Sequence, residues 1–264
     1  MRRSALIAIV TLVTVCAWCQ KESGKKETKT IPYLKLSTPR HVLPTAQSWE
    51  GNEFPHTMSV LEMKRGGYRY WGWYGLNEGR GIGLARSNDL LNWTKYEQNP
   101  LWTNARWPSV LAKANPNDKG LLYFAITRDY DTPSSHIVLA SSRDGFHINE
   151  EKVLLKSGTT VAAPTLLYLK KAKNAEGKRT GIYYLAAEIY PHRYTDNPEG
   201  EWQVKVFFCD SPDGDFQPVE GNPAMSGQRA CLFQHVFHGR FYGYDCHLDS
   251  PDHWMLEEVE APLP

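Results

Sequence analysis

The sequence predicts an all-β fold, a β-propeller, and three features of one repeated module support this prediction. A Ser-x-Asp turn occurs four times, an aromatic residue follows each turn within a few positions, and two apolar, aromatic-rich runs precede it. The turns begin at Ser87, Ser142, Ser211 and Ser250, and the aromatic residues are Trp93, Phe146, Phe216 and Trp254. A unit of this size cannot bury its sheet faces alone, so we expect its copies to stack like propeller blades.

The first module shows how the strands are assigned. Apolar residues with a period of two predict strand A over 58–63 and strand B over 68–75, joined by a turn at Arg65-Gly66-Gly67. Strand C is predicted over 82–86, and strand D begins at Trp93 after the Ser-x-Asp turn. The later modules are predicted over roughly 106–160, 161–228 and 229–264.

The Ser-x-Asp turns predict a structural role. Short hydroxyl and carboxylate side chains cap the backbone N–H groups of tight turns, and Gly145 and Gly214 supply permissive dihedral angles. The aromatic residue that follows each turn is then expected to pack between neighbouring sheets.

Composition favours carbohydrate as the partner. The formal net charge of +1 gives no electrostatic reason to expect nucleic acid or an anionic membrane. The chain has 9 Trp and 14 Tyr, and most of these aromatic residues are expected to fill spaces between sheets. A surplus in loops would suit stacking against the apolar face of a sugar.

The first residues resemble an export signal. Arg2 and Arg3 precede an apolar run over 5–15 that is too short to span a bilayer, so residues 1–19 are predicted to be a secretory signal. Processing at Cys16 as a lipoprotein, which would give a lipid anchor, and ordinary cleavage near Cys19 both remain open. The domain prediction is completed by a polar tether over 20–31 and a single propeller domain over 32–264. The protein is therefore expected to be exported from a bacterium, as a periplasmic, outer-membrane-anchored or extracellular protein.

Antiparallel strand order predicts which face of the propeller carries the site. If strand A begins on one face, strand B ends there, and the Ser-x-Asp turns between strands C and D lie on the opposite face. Each module places one carboxylate near the end of strand B: Glu78, Asp129, Glu188 and Asp245. Polar and aromatic residues open the A strands or precede them: Glu53, His56, Arg106, Trp107, Arg229, and Gln234 or His235.

Two blocks of sequence carry a resemblance to a known family. They are IGLARSNDLLNW with the NPLW that follows it, and PSVL with the later LLYFAITRD. They resemble the five-bladed β-propeller glycosidases, which include arabinanase and xylosidase-type enzymes, the invertase and levansucrase group, and mannoside-phosphorylase-like proteins. The resemblance covers about residues 40–250 and implies a five-bladed fold. Because only four modules are visible, residues 32–50 are predicted to supply strands that complete the last blade or part of a fifth.

The chain departs from this family at the family's catalytic positions. The arabinanase-like enzymes carry carboxylates where the innermost strands of the first three blades open. The matching positions here are His56 or Thr57, Ser109 and Ala162, and none is acidic. His235 resembles a histidine that lies near a central cation in the family, so a structural cation is the one cofactor the resemblance implies.

The sequence therefore predicts a glycoside hydrolase-like protein that acts on a poly- or oligosaccharide through carboxylate acid/base chemistry. Glu188 closes the apolar run YYLAAEIY, where burial would raise its pKa toward that of a general acid. Asp129 or Glu53 is the expected ionised partner. The residues expected to contact sugar are His56, Arg106, Trp107, Asp245 and Glu78. Two alternatives remain open, a non-catalytic carbohydrate-binding propeller and a scaffold that displays protein-binding loops.

Overall fold

A computed structural model describes most of the chain from Arg40 to Pro262. The described residues are 40–44, 46–51, 53, 55–76, 81–112, 120–130, 132, 135–156, 158–169, 181–190, 203–212, 214–226, 233–237, 240–250 and 253–262. The predicted signal and tether lie outside these ranges. No helix among the described residues is long and apolar enough to cross a membrane.

Apart from one 3-10 helical turn at Ser48–Glu50, the regular structure in the described ranges consists of β-strands. The strands are β1 (Arg40–His41), β2 (Pro55–Arg65), β3 (Tyr68–Leu76), β4 (Gly81–Ser87), β5 (Trp93–Lys95), β6 (Trp102–Thr103), β7 (Arg106–Ala112), β8 (Leu122–Arg128), β9 (His136–Ser142), β10 (Asn149–Leu155), β11 (Val161–Leu169), β12 (Ile182–Ile189), β13 (Gln203–Cys209), β14 (Gln217–Pro218), β15 (Met225–Ser226), β16 (Phe233–Phe237), β17 (Arg240–Ser250) and β18 (His253–Pro262).

These strands form four antiparallel sheets, one for each predicted module. The strand orders are β2-β3-β4-β5 with β6 beside β4, β7-β8-β9-β10, β11-β12-β13-β14 with β15 beside β13, and β16-β17-β18-β1. In the first three sheets, consecutive strands of the chain are neighbours, as in the blades of a propeller. The predicted fold class is confirmed.

The last sheet is completed by the start of the described chain. Arg40 and His41 in β1 pair with Glu258 and Glu257 in β18. This pairing confirms the prediction that the segment before the first module supplies a strand to the last blade. It also removes an exposed sheet edge that β18 would otherwise present.

The innermost strands are linked by a repeated hydrogen bond. The hydroxyl of Ser59 on β2 accepts the backbone N–H of Val110 on β7 at 3.0 Å, and Ser109 on β7 accepts that of Leu166 on β11 at 2.9 Å. Each of these serines is buried. One side-chain oxygen thus connects β2 to β7, and another connects β7 to β11.

Large side chains fill the spaces between neighbouring sheets. Trp73 of the first sheet meets Phe124 of the second edge to face, with ring centroids 5.5 Å apart. Trp71 and Phe146 pack at 4.8 Å in the same cluster, so the aromatic residue after the second Ser-x-Asp turn lies between sheets as expected. Edge-to-face aromatic pairs stabilise such interfaces beyond the area they bury.

The first Ser-x-Asp turn has the predicted structural role. The Ser87 hydroxyl donates to Asp89 at 3.0 Å and accepts the backbone N–H of Leu90. Asp89 accepts the backbone N–H groups of Leu91 and Asn92 and the Asn92 side-chain amide. Burial alone would raise the pKa of Asp89, but these hydrogen bonds, together with the one from Ser87, hold that pKa at about 2.

The second turn repeats this arrangement with one substitution. Asp144 accepts the backbone N–H groups of Phe146 and His147, and the Ser142 hydroxyl donates to it at 3.1 Å. The His147 Nδ1 atom lies 2.7 Å from Asp144, in the place that the Asn92 amide takes in the first turn. His147 and Asn92 therefore occupy matching positions, and the side chain of each contacts the aspartate of its turn.

The fourth turn does not follow the prediction. Ser250 ends β17 and pairs with His253 at the start of β18, so this turn joins the second and third strands of its sheet. In the first two sheets the turn joins the third and fourth strands, β4 to β5 and β9 to β10. The reason is that the outer strand of the last sheet is β1, from the other end of the chain, so no turn leads into it. The prediction that all four turns share one face is wrong for this sheet.

Candidate functional site

The candidate site lies at the edge where β2, β7 and β11 begin, which we call the mouth. Strand register places the end of each second strand here, since Arg106 pairs with Thr127 and Ala162 pairs with Glu188. The opposite edge is the turn face, where Arg65 at the end of β2 donates to the carbonyl oxygens of Arg143 and Asp144. Since Ser87 pairs with Tyr70 near the β2–β3 turn, Asp89 and Glu188 lie on opposite faces, as predicted.

Backbone bulges shape the mouth. The β7–β8 register shifts between Arg106 and Ser109, and the β11–β12 register shifts between Ala162 and Thr165. The residue inside each bulge precedes a proline and has a positive φ, 48° at Trp107 and 45° at Ala163. Positive φ is unusual for residues with a Cβ atom and often occurs beside binding sites.

A glycine of the first sheet allows the bulge of the second to approach. A Cβ atom added at Gly75 would lie 2.7 Å from the Trp107 backbone nitrogen and 3.1 Å from the ring of Pro108. Real Cβ atoms essentially never come so close to a backbone atom. Gly75 therefore sets how closely the mouth ends of β3 and β7 meet.

Trp107 is buried in the wall of the mouth. Its ring meets Tyr130 edge to face at 4.8 Å and packs with Ala162, Ala163 and Tyr190 of the third sheet. Only 5% of Trp107 is exposed. Trp107 thus packs between the second and third sheets, and its assignment as a sugar-stacking residue stays a prediction.

Arg106 places a cation beside these rings. Its guanidinium carbon lies 4.6 Å from the centroid of the Tyr130 ring and 5.7 Å from that of Trp107. Arg106 is itself buried. A guanidinium held over aromatic rings in a partly desolvated place is attracted by their π faces, so Arg106 and Tyr130 form one rigid unit of the mouth wall.

Glu188 has the burial that its apolar surroundings predict. It is the second-last residue of β12 and pairs with Ala162 on one side and Val204 on the other. Only 5% of Glu188 is exposed, and its neighbours Ala187 and Ile189 are buried as well. A carboxyl group in such a place fits the requirement for a general acid.

The two candidate partners of Glu188 differ in their surroundings. Asp129 has a positive φ of 49°, its side chain is 36% exposed and accepts the Asn104 amide at 2.7 Å, and its carbonyl oxygen accepts the backbone N–H of Thr132. These contacts are those of a loop cap. Glu53 is 7% exposed and lies just before β2 at the mouth. Because Asp129 has the contacts of a loop cap, we prefer Glu53 as the second carboxylate of the site, and this choice stays a prediction.

The remaining predicted residues are placed less completely. His56 is the second residue of β2. Glu78 lies outside the described residues. Asp245 pairs with Glu257 in the middle of β17 rather than following the strand, because β17 continues to Ser250. His235 lies on β16 and pairs with Tyr242. In the part of the chain that the structure describes, no group of three or more His, Cys, Asp or Glu residues could hold a metal ion.

The sequence analysis missed a buried ionic network that Glu50 forms with Tyr74 and Lys95 of the first sheet. The Glu50 carboxylate is fully buried and accepts the Tyr74 hydroxyl at 2.6 Å and the Lys95 ammonium at 2.7 Å. Burial lowers the pKa of Lys95, and the Glu50 carboxylate only partly offsets this. Burial, followed by the charge of Glu50, raises the pKa of the Tyr74 phenol.

One sequence signal for this network was available. Gln47 and Glu50 have the spacing of a capping box, and Glu50 accepts the backbone N–H of Gln47 at 2.9 Å. The partner could not be found in this way, because Lys95 lies 45 residues further along the chain.

Comparison with known proteins supports the fold independently. No protein-family model and no curated protein sequence matches the chain. Among solved structures, the chain is similar to Zg3597, a family 117 glycoside hydrolase from Zobellia galactanivorans, with 12% identity, a TM-score of 0.53 and coverage of 86% of this chain and 72% of that one. It is also similar to fructofuranosidase from Schwanniomyces occidentalis complexed with fructose, with 15% identity, a TM-score of 0.51 and coverage of 78% and 44%.

These similarities establish the fold, which is that of the five-bladed β-propeller glycoside hydrolases. The chain spans less than half the length of the fructofuranosidase it matches. The described residues form four sheets of this fold.

Proposed function

We propose that this protein is an exported glycoside hydrolase-like protein that acts on a poly- or oligosaccharide. The observation that carries the proposal is the pair of buried carboxylates at the mouth, Glu188 in the third sheet and Glu53 before the first. The fold supports it, since one of the structures named above is a family 117 glycoside hydrolase and the other is a fructofuranosidase.

The chemistry requires the two carboxyl groups in different protonation states. Glu188, protonated, donates its proton to the glycosidic oxygen as the bond from that oxygen to the anomeric carbon breaks. Glu53, ionised, assists water, whose oxygen bonds to the anomeric carbon and whose proton the carboxylate takes up. One water is consumed and no oxidant or cofactor is needed for this step.

The walls of the mouth suit a sugar. Tyr130 is only half-buried and provides apolar surface, while Trp107 and Arg106 pack against its ring. We propose His56, Glu78 and Asp245 as further sugar contacts, and His235 as the residue nearest any central cation.

The test is a glycan panel with matched variants. Purified mature protein is scored for binding and for release of reducing ends, beside Glu188→Gln and Asp129→Asn. Glu188→Gln keeps the shape of the side chain and removes its ionisable proton, so we expect turnover to fall at least about a hundredfold. Asp129→Asn should leave most turnover in place, because Asp129 caps a loop.

Unchanged glycan release by Glu188→Gln would reject Glu188 as the acid. Binding by the wild type without release from any glycan would reject hydrolysis and leave a carbohydrate-binding propeller.

The proposed export is checked separately by mass spectrometry of the N-terminus after expression in a bacterial host. An N-terminus at Met1 would contradict it, and a lipid-modified cysteine would identify lipoprotein processing.

A further inference from the structure

Glu53 is connected to the buried ionic network by one hydrogen-bonded turn of backbone. Its N–H donates to the carbonyl oxygen of Glu50 at 3.1 Å. Glu53 precedes β2, which begins at Pro55, so it lies outside the hydrogen-bonded ladder of the sheet. The turn at its N-terminal side is therefore one of its supports.

The Glu50 carboxylate also holds the preceding turn, which runs from Gln47 to Glu50, at three points. Its donors are the Tyr74 hydroxyl of β3 at 2.6 Å, the Lys95 ammonium of β5 at 2.7 Å and the backbone N–H of Gln47 at 2.9 Å. Two of these donors belong to strands of the first sheet. Three short bonds to a buried carboxylate fix both its position and its orientation.

The start of the turn is fixed as well. The Gln47 side chain donates to the carbonyl oxygen of Tyr96 at 2.9 Å and accepts the Asn99 amide at 3.0 Å. Asn99 also donates to the Tyr74 hydroxyl at 3.2 Å. The turn is thus tied to the first sheet at its first residue and at its last.

We propose that Glu50 is a positioning residue for Glu53, which holds the ionised carboxylate of the mouth at the distance from Glu188 that the reaction needs. This inference rests on the proposed function. Glu50 has no part in the chemistry, because its carboxylate is fully buried behind the first sheet. It acts through the backbone turn, and the sheet supplies the rigidity.

The test compares crystal structures and kinetics of Tyr74→Phe and Glu50→Gln with the wild type. Tyr74→Phe removes one of the three donors to Glu50 and keeps the ring. It therefore tests the proposal even if Glu50→Gln does not fold. Glu97→Gln, an exposed carboxylate near Lys95, is the matched control. We expect the Glu53 carboxylate to be displaced in the variants while Glu188 and Asp129 keep their places.

We expect kcat to fall by between about tenfold and a hundredfold in the variants while KM changes little, because misplacement by about 1 Å can cost that much. A merely structural role would lower thermal stability and leave kcat at low temperature unchanged, and that result would overturn the inference. So would a Glu53 carboxylate that keeps its place in Tyr74→Phe and in any folded Glu50→Gln.

The two proposals fail separately. If the wild type hydrolyses no glycan in the panel, the proposed function fails, and the crystallographic comparison alone decides whether Glu50 places Glu53. If the wild type is active, and Tyr74→Phe and any folded Glu50→Gln show both an unmoved Glu53 and an unchanged kcat, only the positioning inference fails.

Discussion

Carboxylates of this protein are held in two different ways. Asp89 and Asp144 on the turn face each accept several local hydrogen bonds, and these bonds hold the pKa of both groups below its ordinary value although burial opposes them. Glu188 and Glu53 at the mouth are buried, with 5% and 7% of each residue exposed. Hydrogen bonds to the ionised form therefore make Asp89 and Asp144 structural anions of their turns.

The pKa of Asp89 predicts how acid affects stability. Its pKa is about 2 in the folded protein, against an ordinary value of 3.8. The folded state therefore gains stability from the ionised group above about pH 4, and this gain is lost as the pH falls from about 4 to about 2. We expect Asp89→Asn to be less stable than the wild type at pH 7 and the difference to shrink toward pH 2 in thermal unfolding. An equal difference at both pH values would contradict this.

Trp107 is predicted to contribute mainly to stability. Since its ring is buried against Tyr130 and the third sheet, Trp107→Ala should cost about 3–5 kcal/mol in the free energy of unfolding. Urea denaturation measures this loss. A stacking residue would behave differently, with glycan affinity weakened by roughly 1–3 kcal/mol and stability almost unchanged, by analogy with base stacking.

The sequence predicted residues whose partners are close in the chain. The Ser-x-Asp turns were recognised because every donor and acceptor lies within three residues. Glu50 was missed because Tyr74 and Lys95 reach it only after the sheet has folded. The packing of Trp107 against Tyr190 could not be predicted, since it depends on a bulge and on the neighbouring sheet.

At the level of strands, two asparagine side chains hydrogen-bond to the backbone of a strand in the outer part of a sheet. Asn99 accepts the backbone N–H of Leu84 and donates to its carbonyl oxygen, and Asn222 does the same for Val206. Each asparagine precedes a proline. A single amide thus takes the place of a missing strand residue beside β4 and β13 and satisfies their backbone groups.

These asparagines should differ in importance. Asn99→Ala removes the bonds to Leu84 and also those to Gln47 and Tyr74, whereas Asn222→Ala removes only the bonds recorded to Val206. We expect a loss of about 1–3 kcal/mol for Asn222→Ala and a larger loss for Asn99→Ala, because the N–H groups of Val206 and Leu84 lose their acceptors while the carbonyl oxygens keep the N–H groups of Val219 and Tyr96. Urea unfolding of both variants tests the order, and equal losses would contradict it.

Strand prediction succeeded where the period was clear. The four strands predicted in the first module match β2 to β5 within a few residues at each end. The last module was predicted less well, because its second strand continues through Asp245 to Ser250 and its Ser-x-Asp turn joins the second and third strands. Its fourth strand, β1, was predicted from the small number of modules and not from the repeat, since β1 lies far from β18 in the sequence.

For the whole molecule, β1 is expected to matter more than its two residues suggest. Removing the chain up to His41 would expose the edge of β18 that Arg40 and His41 cover. We expect this truncated protein to have a lower melting temperature and to self-associate, because an unpaired edge strand pairs with other chains. Light scattering and thermal unfolding measure both effects. A truncated protein that stays monomeric and equally stable would show that β1 does not close the sheet.

Pairing between β1 and β18 also affects the order in which the protein can be completed. Arg40 is made early, but its partner Glu258 follows more than two hundred residues later. The first three sheets consist of strands from consecutive stretches, and they can form as soon as each stretch is available. The last sheet must wait until β18 has been made, and contacts so distant in sequence form slowly. A chain interrupted before β18 therefore lacks the strand that pairs with Arg40 and His41.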